Sequence, residues 1–363
     1  MSIFSPTRLS IARRRRGITQ KSLAERCGVS PQLMSFFEKG ERTPQKEEVL
    51  KLSFALGFPP GFFYADDVCL LNLEVPSFRS RRAMTRKLRD SALALGEIAC
   101  EILSPDLNKK FAFPETDMPD LQGYDPEDAA DLLRVEWRLG LGPISNMVYL
   151  LESKGGEVYW LNEESPLVDA FSFWRDRKPF VILNSSKNSG ERSRFDAAHE
   201  LAHIVLHRDR QNLDGQDIED EANRFASALL MPRVQVEVEW PKSPELDLLF
   251  RLKPRWKVSV AAMIYRGREA GVFSEWQARV AFKKLSATGM RTKEKQPVEV
   301  ETSFIHNMVF DSFSEGNITP EQYAKQLLIS TSNLTELMPT AKGYLQKYPE
   351  NRVIEKGHMR LVG

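Results

Sequence analysis

Three of the chain's five histidines, His199, His203 and His207, fall within nine residues, and the first two bracket Glu200 in His199-Glu200-Leu201-Ala202-His203. On a helix, residues four apart point the same way, so two imidazoles can hold one zinc while Glu200 addresses a water as general base. The run Phe195 to Leu206 has few polar residues beyond those that would serve a metal, and reads as one buried helix. Two histidines and a carboxylate left unpaired there would cost roughly several kcal/mol by desolvation, so they need a shared partner. Zinc supplies one.

A third ligand is expected from the next helix, Ile218 to Leu230, which Pro232 closes. Its apolar face runs through Ile218, Ala222, Phe225, Ala226 and Leu229, with Glu221 one turn before Phe225. Glu221 is the carboxylate expected at the metal, and Glu219 or Asp220 takes its place if the face is shifted. Three protein ligands leave the fourth position open, as catalysis requires; a structural site would close it, usually with cysteine. His207 lies about 12 Å of helical rise from His199, too far to share the metal, so it should bond helix-end carbonyls or a carboxylate behind the ligands.

The stretch Phe195 to His207, followed by Glu221-Ala222-Asn223-Arg224-Phe225-Ala226-Ser227-Ala228-Leu229-Leu230-Met231-Pro232, resembles the ImmA/IrrE metallopeptidases. These are bacterial and phage proteins whose described members cleave helix-turn-helix repressors. The resemblance implies His199, His203 and Glu221 as zinc ligands, Glu200 as general base, and a small sheet leading into the metal-binding helix. Ala202 stands where the family usually has glycine. The metzincin pattern, with a third histidine beyond a glycine bend, is absent.

The N-terminal segment carries a different signal. Thr19 can cap one helix, Gly28 end it, and Ser30 cap the next with Pro31 at its first position. Leu23, Ala24, Val29, Met34 and Phe37 have the spacing to pack the pair, and Gly40 to Pro44 turns into a further helix ending at Leu56-Gly57. The run resembles the Cro/C1-type, or xenobiotic-response-element (XRE-family), helix-turn-helix domain.

Residues 1–64 hold eleven Lys/Arg and five Asp/Glu, a balance of +6, so the remaining chain is −5 to reach the net +1. Basicity is concentrated where double-stranded DNA would lie. In that fold the second helix enters the major groove, making Gln32 and Ser35 the expected base contacts, with Gln20, Lys39 and Arg42 also on the DNA side. Glu38 should pair with Arg13 inside the domain. The run Arg13 to Arg16 is either a solvated face or a set of phosphate contacts.

These motifs sit in a chain of 363 residues, 42% hydrophobic and 28% charged, long enough for two or three cores. No signal peptide or membrane-length apolar stretch is evident, and Cys27, Cys69 and Cys100 are scattered. A reducing cytoplasmic location without membrane association is expected. The fold class is multidomain α+β. A helix-turn-helix domain should occupy 1–65, a helical connector and linker 66–125, a zincin-like metallopeptidase domain 126–272 and a C-terminal helical module 273–363. A basic run, Arg79 to Arg89, should open a long helix reaching about Leu103. Strands are expected near 155–161, 170–174 and 179–184, and a capped helix from Thr319. No internal repeat is evident.

Two functions fit. One is a DNA-binding regulator whose zinc endopeptidase cuts a cytoplasmic protein, such as a helix-turn-helix repressor, or its own linker. The other is a non-catalytic XRE-type regulator or antitoxin whose zincin-like domain senses a signal or binds a partner. A homodimer would favour DNA half-sites about one helical turn apart. A donor to the developing oxyanion is expected among the tyrosines and His306.

Overall fold

The computed structural model describes residues 3–71, 85–162, 170–186, 188–208, 215–291 and 294–347. Residues 79–84 of the second basic run and the C-terminal stretch 348–363 lie outside them.

The N-terminal domain comprises α1 (Pro6–Arg15), α2 (Gln20–Cys27), α3 (Pro31–Lys39) and α4 (Lys46–Leu56), closed by a 3-10 turn at Pro60–Tyr64. Thr19 and Ser30 cap α2 and α3 through their side chains, and Gly28 takes the left-handed conformation, φ 66°, that ends α2 sharply. Next comes α5 (Arg86–Ile98), capped by Thr85. A π-helical turn at Ala99–Leu103 joins it to α6 (Ser104–Lys110), where Pro105 lacks the N–H a regular ladder needs.

The second half begins with α7 (Pro126–Glu136) and α8 (Met147–Ser153). Strands β1 (Glu157–Leu161), β2 (Ala170–Arg175) and β3 (Lys178–Asn184) form one sheet in the order β1-β3-β2. β1 runs parallel to β3, and β2 antiparallel to it. The β2–β3 turn places Asp176 and Arg177 at φ 48° and 64°, the two positive angles a tight hairpin needs to match strand twist.

Period-two alternation divides the sheet between two cores. Tyr159, Leu161, Phe171, Phe173, Phe180 and Ile182 join the N-terminal domain, α5 and the last helices in one core. Val158, Trp160, Ala170, Val181 and Leu183 join the other, built on α9 (Gly190–Leu206) and α10 (Gly215–Leu230). Beyond them lie α11 (Arg233–Glu239), α12 (Leu246–Trp256), α13 (Val260–Glu269) and α14 (Glu275–Ala287). Phe273, Ala278, Ala281 and Leu285 belong to this second core, so the expected boundary at 273 falls inside it. The helices on the opposite side are α15 (Phe304–Glu315), α16 (Pro320–Gln326), α17 (Thr331–Leu337) and α18 (Ala341–Lys347).

The start of α9 is pinned from the C-terminal side. A Cβ on Gly190 would lie 2.3 Å from the carbonyl oxygen of Glu299, so only glycine lets the extended segment cross there. Buried Arg194 pairs with Glu301, and Glu301 accepts from the backbone N–H of Met147 at 2.7 Å and of Val148 at 3.2 Å, capping α8. Glu152, at the other end of α8, pairs with the Ser303 hydroxyl and accepts from Phe304 N at 2.9 Å, capping α15 in return.

Candidate metal centre and nucleic-acid interface

His199 and His203 lie one turn apart on α9 and point the same way, their Nε2 atoms 3.1 Å apart. From α10, Glu219 brings Oε2 to 3.4 Å from His199 Nε2 and Oε1 to 3.5 Å from His203 Nε2. Donors around a tetrahedral zinc, each about 2.0–2.1 Å from the metal, lie roughly 3.4 Å from one another, so these three side chains are spaced as ligands to one ion. Buried Glu219 Oε1 has no hydrogen-bond partner among the described residues, which a cation would supply.

The outer nitrogens assign the protons. His199 Nδ1 lies 3.0 Å from Asn223 Oδ1, and His203 Nδ1 lies 3.0 Å from His207 Nδ1. If each Nε2 offers its lone pair to a metal, each Nδ1 carries the proton and donates it outward. His207 then accepts at Nδ1, carries its own proton on Nε2, and donates to Glu221 Oε2 at 2.9 Å. The network closes without two donors facing each other. It leaves two bare lone pairs and a carboxylate converging on one point, an arrangement that fits a divalent cation.

Burial and the neighbouring charges pull the three groups in different directions. Burial, then the charge of the neighbouring histidines, holds the His203 pKa down to about 4 against the pull of Glu219, so its imidazole is neutral and ready to ligate. Burial opposes ionisation of Glu219, but its close contacts with His199 and His203 outweigh it and hold the carboxyl well below the usual range. His199 is raised: burial opposes this, but Glu219, Glu200 and Asp196 prevail.

The carboxylate that meets the imidazoles is thus Glu219, and Glu221, the expected third ligand, meets His207 instead. At about 100° per residue, Glu219 and Glu221 lie roughly 80° to either side of the apolar face's centre, so that face could not choose between them. The crossing of α9 over α10 decides it, on the flank that also carries Asn223 one turn beyond Glu219. Asn223, a polar residue four after Glu219, was the signal available in the sequence.

Glu200 is almost fully buried beside the triad and is not one of the three clustered donors. Ser172, on β2, lies with its hydroxyl 2.7 Å from Glu200 Oε2 and 3.2 Å from the Glu200 carbonyl. Trp174 Nε1 donates to the Ile204 carbonyl at 3.3 Å, a second tie between β2 and α9. Sequence reasoning placed both residues on a strand but gave neither a role. His306 is buried against Tyr159 and Trp160, and burial pushes its pKa down to about 3.

In the N-terminal domain, Arg13 Nη2 donates to Glu38 Oε2 at 2.9 Å, the pairing expected for Glu38. Gln20 Nε2 donates to the same oxygen at 2.8 Å, so Gln20 is tied into this pair. Gln32, Lys39 and Arg42 are exposed on and after α3, and Ser35 is half-buried. Arg42 lies over the Phe36 ring at 5.7 Å. The other arginines of the basic run turn inward. Arg14 pairs with Glu97, Arg15 with Glu336, and Arg16 donates to the Leu56 carbonyl at 2.5 Å.

Comparison with known families agrees with this division. Residues 9–63 match the helix-turn-helix family model, and residues 152–267 match the IrrE N-terminal-like domain of peptidase family M78. The chain joins a DNA-binding helix-turn-helix domain to an IrrE-like peptidase-family domain. The second match spans β1 to β3, the metal-cluster helices and most of α13. A search of curated proteins gives no match to the chain. Among the described residues, no helix is long and apolar enough to cross a membrane.

Proposed function

We propose that this chain is a DNA-binding regulator whose IrrE-like domain is a zinc-dependent endopeptidase, with His199, His203 and Glu219 as ligands and Glu200 as general base. The observation that carries the reading is Glu200: it is buried at the triad, oriented by Ser172, and surplus to the three donors. A site built only to bind metal would have no use for it. Zinc, when bound there, supplies Lewis acidity to the scissile carbonyl and to the attacking water.

The protein's own groups do the rest. Asn223 and the His207–Glu221 pair fix the imidazole tautomers, so the ligand atoms are preorganised. Ser172 holds the Glu200 carboxylate in one orientation, ready to take a proton from water and return it to the leaving amine. The substrate is a cytoplasmic protein, such as a helix-turn-helix repressor, or this chain's own linker. DNA contact falls to Gln32, Ser35, Lys39 and Arg42, with Gln20 near the backbone, and a homodimer would read two half-sites.

Incubating the purified chain, zinc-replete or zinc-stripped, with an extract and mapping new protein termini by mass spectrometry tests this function. New termini should appear only with zinc. Identical termini in both would contradict it.

A further inference from the structure

The C-terminal helices repeat the N-terminal ones at a constant offset of 300 residues, from Gly17/Asn317 to Phe37/Leu337. Gly17 and Asn317 both have positive φ, 58° and 57°. Ile18 N then donates to the Arg13 carbonyl, and Ile318 N to the Phe313 carbonyl. Thr19 and Thr319 cap the first helix of each pair by accepting from the N–H three residues on. The turns coincide: Gly28 and Leu328 are left-handed, φ 66° and 57°, and Val29 N→Ala24 O and Ile329 N→Ala324 O both measure 3.0 Å. Ser30 and Ser330 cap the second helices in the same way. Buried Leu23, Ala24, Cys27, Met34 and Phe37 correspond to buried Tyr323, Ala324, Leu327, Leu334 and Leu337.

Sequence reading missed this because the turn glycine has become Leu328, a residue for which the left-handed conformation costs about 1–2 kcal/mol.

We infer that residues 303–337 are a second helix-turn-helix unit, a copy of the N-terminal one, whose second helix has been turned from DNA to hold the DNA-binding domain against the peptidase sheet. Residues 18–37 carry Lys21 and Arg26 against Glu25, a balance of +1, whereas residues 318–337 carry Lys325 against Glu321 and Glu336, a balance of −1. The copy lacks the positive charge that phosphate contact demands. Glu336 stands where α3 has Phe36. It pairs with Arg15 of α1 and accepts from Asn162 N at 3.0 Å, directly after β1. The Leu328 side chain seats on the DNA domain's 3-10 turn, where a Cβ on Gly61 would lie 3.0 Å from Leu328 Cδ2. The copy thus touches the DNA domain at two places and the sheet at a third, inside one continuous core.

The test uses the full chain. Hydrogen exchange of α1 and of the β1 end at Asn162 should rise about tenfold in Glu336→Arg; the swap Arg15→Glu/Glu336→Arg should restore α1 to within about threefold but leave Asn162 fast, because arginine at 336 cannot accept from its N–H. Glu336→Gln, a milder change, should move the same peptides in the same direction. For DNA, Gln32→Glu should weaken binding at least about tenfold, while its counterpart Ser332→Glu leaves affinity within about twofold. Unchanged exchange in both Glu336 variants would overturn the bracing role. Loss of DNA affinity in Ser332→Glu equal to that in Gln32→Glu would show that the copy still reads DNA.

Discussion

The Ser172 hydroxyl on β2 lies 2.7 Å from Oε2 of Glu200 on α9, so the sheet orients the carboxylate expected to act on water. The pair is buried, where one hydrogen bond to a charged group is worth about 1.5–3 kcal/mol. Ser172→Ala should therefore lower kcat for peptide-bond cleavage about tenfold or more, with zinc content unchanged, while Ser172→Thr keeps most activity. Parallel kcat and metal assays decide it, and full activity in Ser172→Ala would remove Ser172 from the account.

Glu219 and Glu221 on α10 separate by metal analysis. Glu219→Ala should abolish stoichiometric zinc, as should His203→Ala. Glu221→Ala and His207→Ala should still bind one zinc per chain, but about 10–100-fold more weakly in chelator competition, because they support a ligand rather than act as one. Zinc loss in Glu221→Ala with retention in Glu219→Ala would reverse the assignment.

Glu152 makes stability depend on pH. Burial raises its pKa to about 7, although Ser303 and the N-terminal amides of α15 favour ionisation. A carboxyl with a raised folded pKa contributes stability that is complete below its unfolded value, about 4.3, and is lost as pH rises through about 7. Between pH 5 and 8 the wild-type Tm should fall more steeply than that of Glu152→Gln, and equal slopes in thermal melts would count against this.

DNA affinity should depend on exposed cations rather than on the arginine run of α1. Lys39→Ala and Arg42→Ala should each reduce the salt slope of binding by about one, whereas Arg16→Ala, tied to the Leu56 carbonyl, should leave it nearly unchanged. Gln32→Ala should relax sequence preference by about 1–3 kcal/mol. Titrations at two salt concentrations on specific and unrelated duplexes measure both effects.

Local signals made much of this legible. The caps at Thr19 and Ser30, the turn at Gly28 and the i, i+4 histidines each specify their geometry within a few residues, and the three strands follow from β-branched and aromatic runs. Glu219 was harder to read, because two acids flank one apolar face and only the crossing of α9 over α10 selects between them. The destination of Arg14 and Arg15 depends on Glu97 and Glu336, acids far along the chain that no local pattern links to them. The C-terminal repeat kept its caps and core but lost its turn glycine, the residue by which such a motif is ordinarily found.

The central claim is that the triad performs proteolysis with Glu200 as its base. Its most direct measurement compares protein termini in cells carrying either wild-type chain or Glu200→Gln, at equal protein level and equal zinc content. The account predicts at least one cytoplasmic protein, or the chain's own linker, cleaved with wild type and intact with the variant, since glutamine cannot take a proton from water. Cleavage that persists in Glu200→Gln, or no cleavage in either at full zinc occupancy, would contradict it.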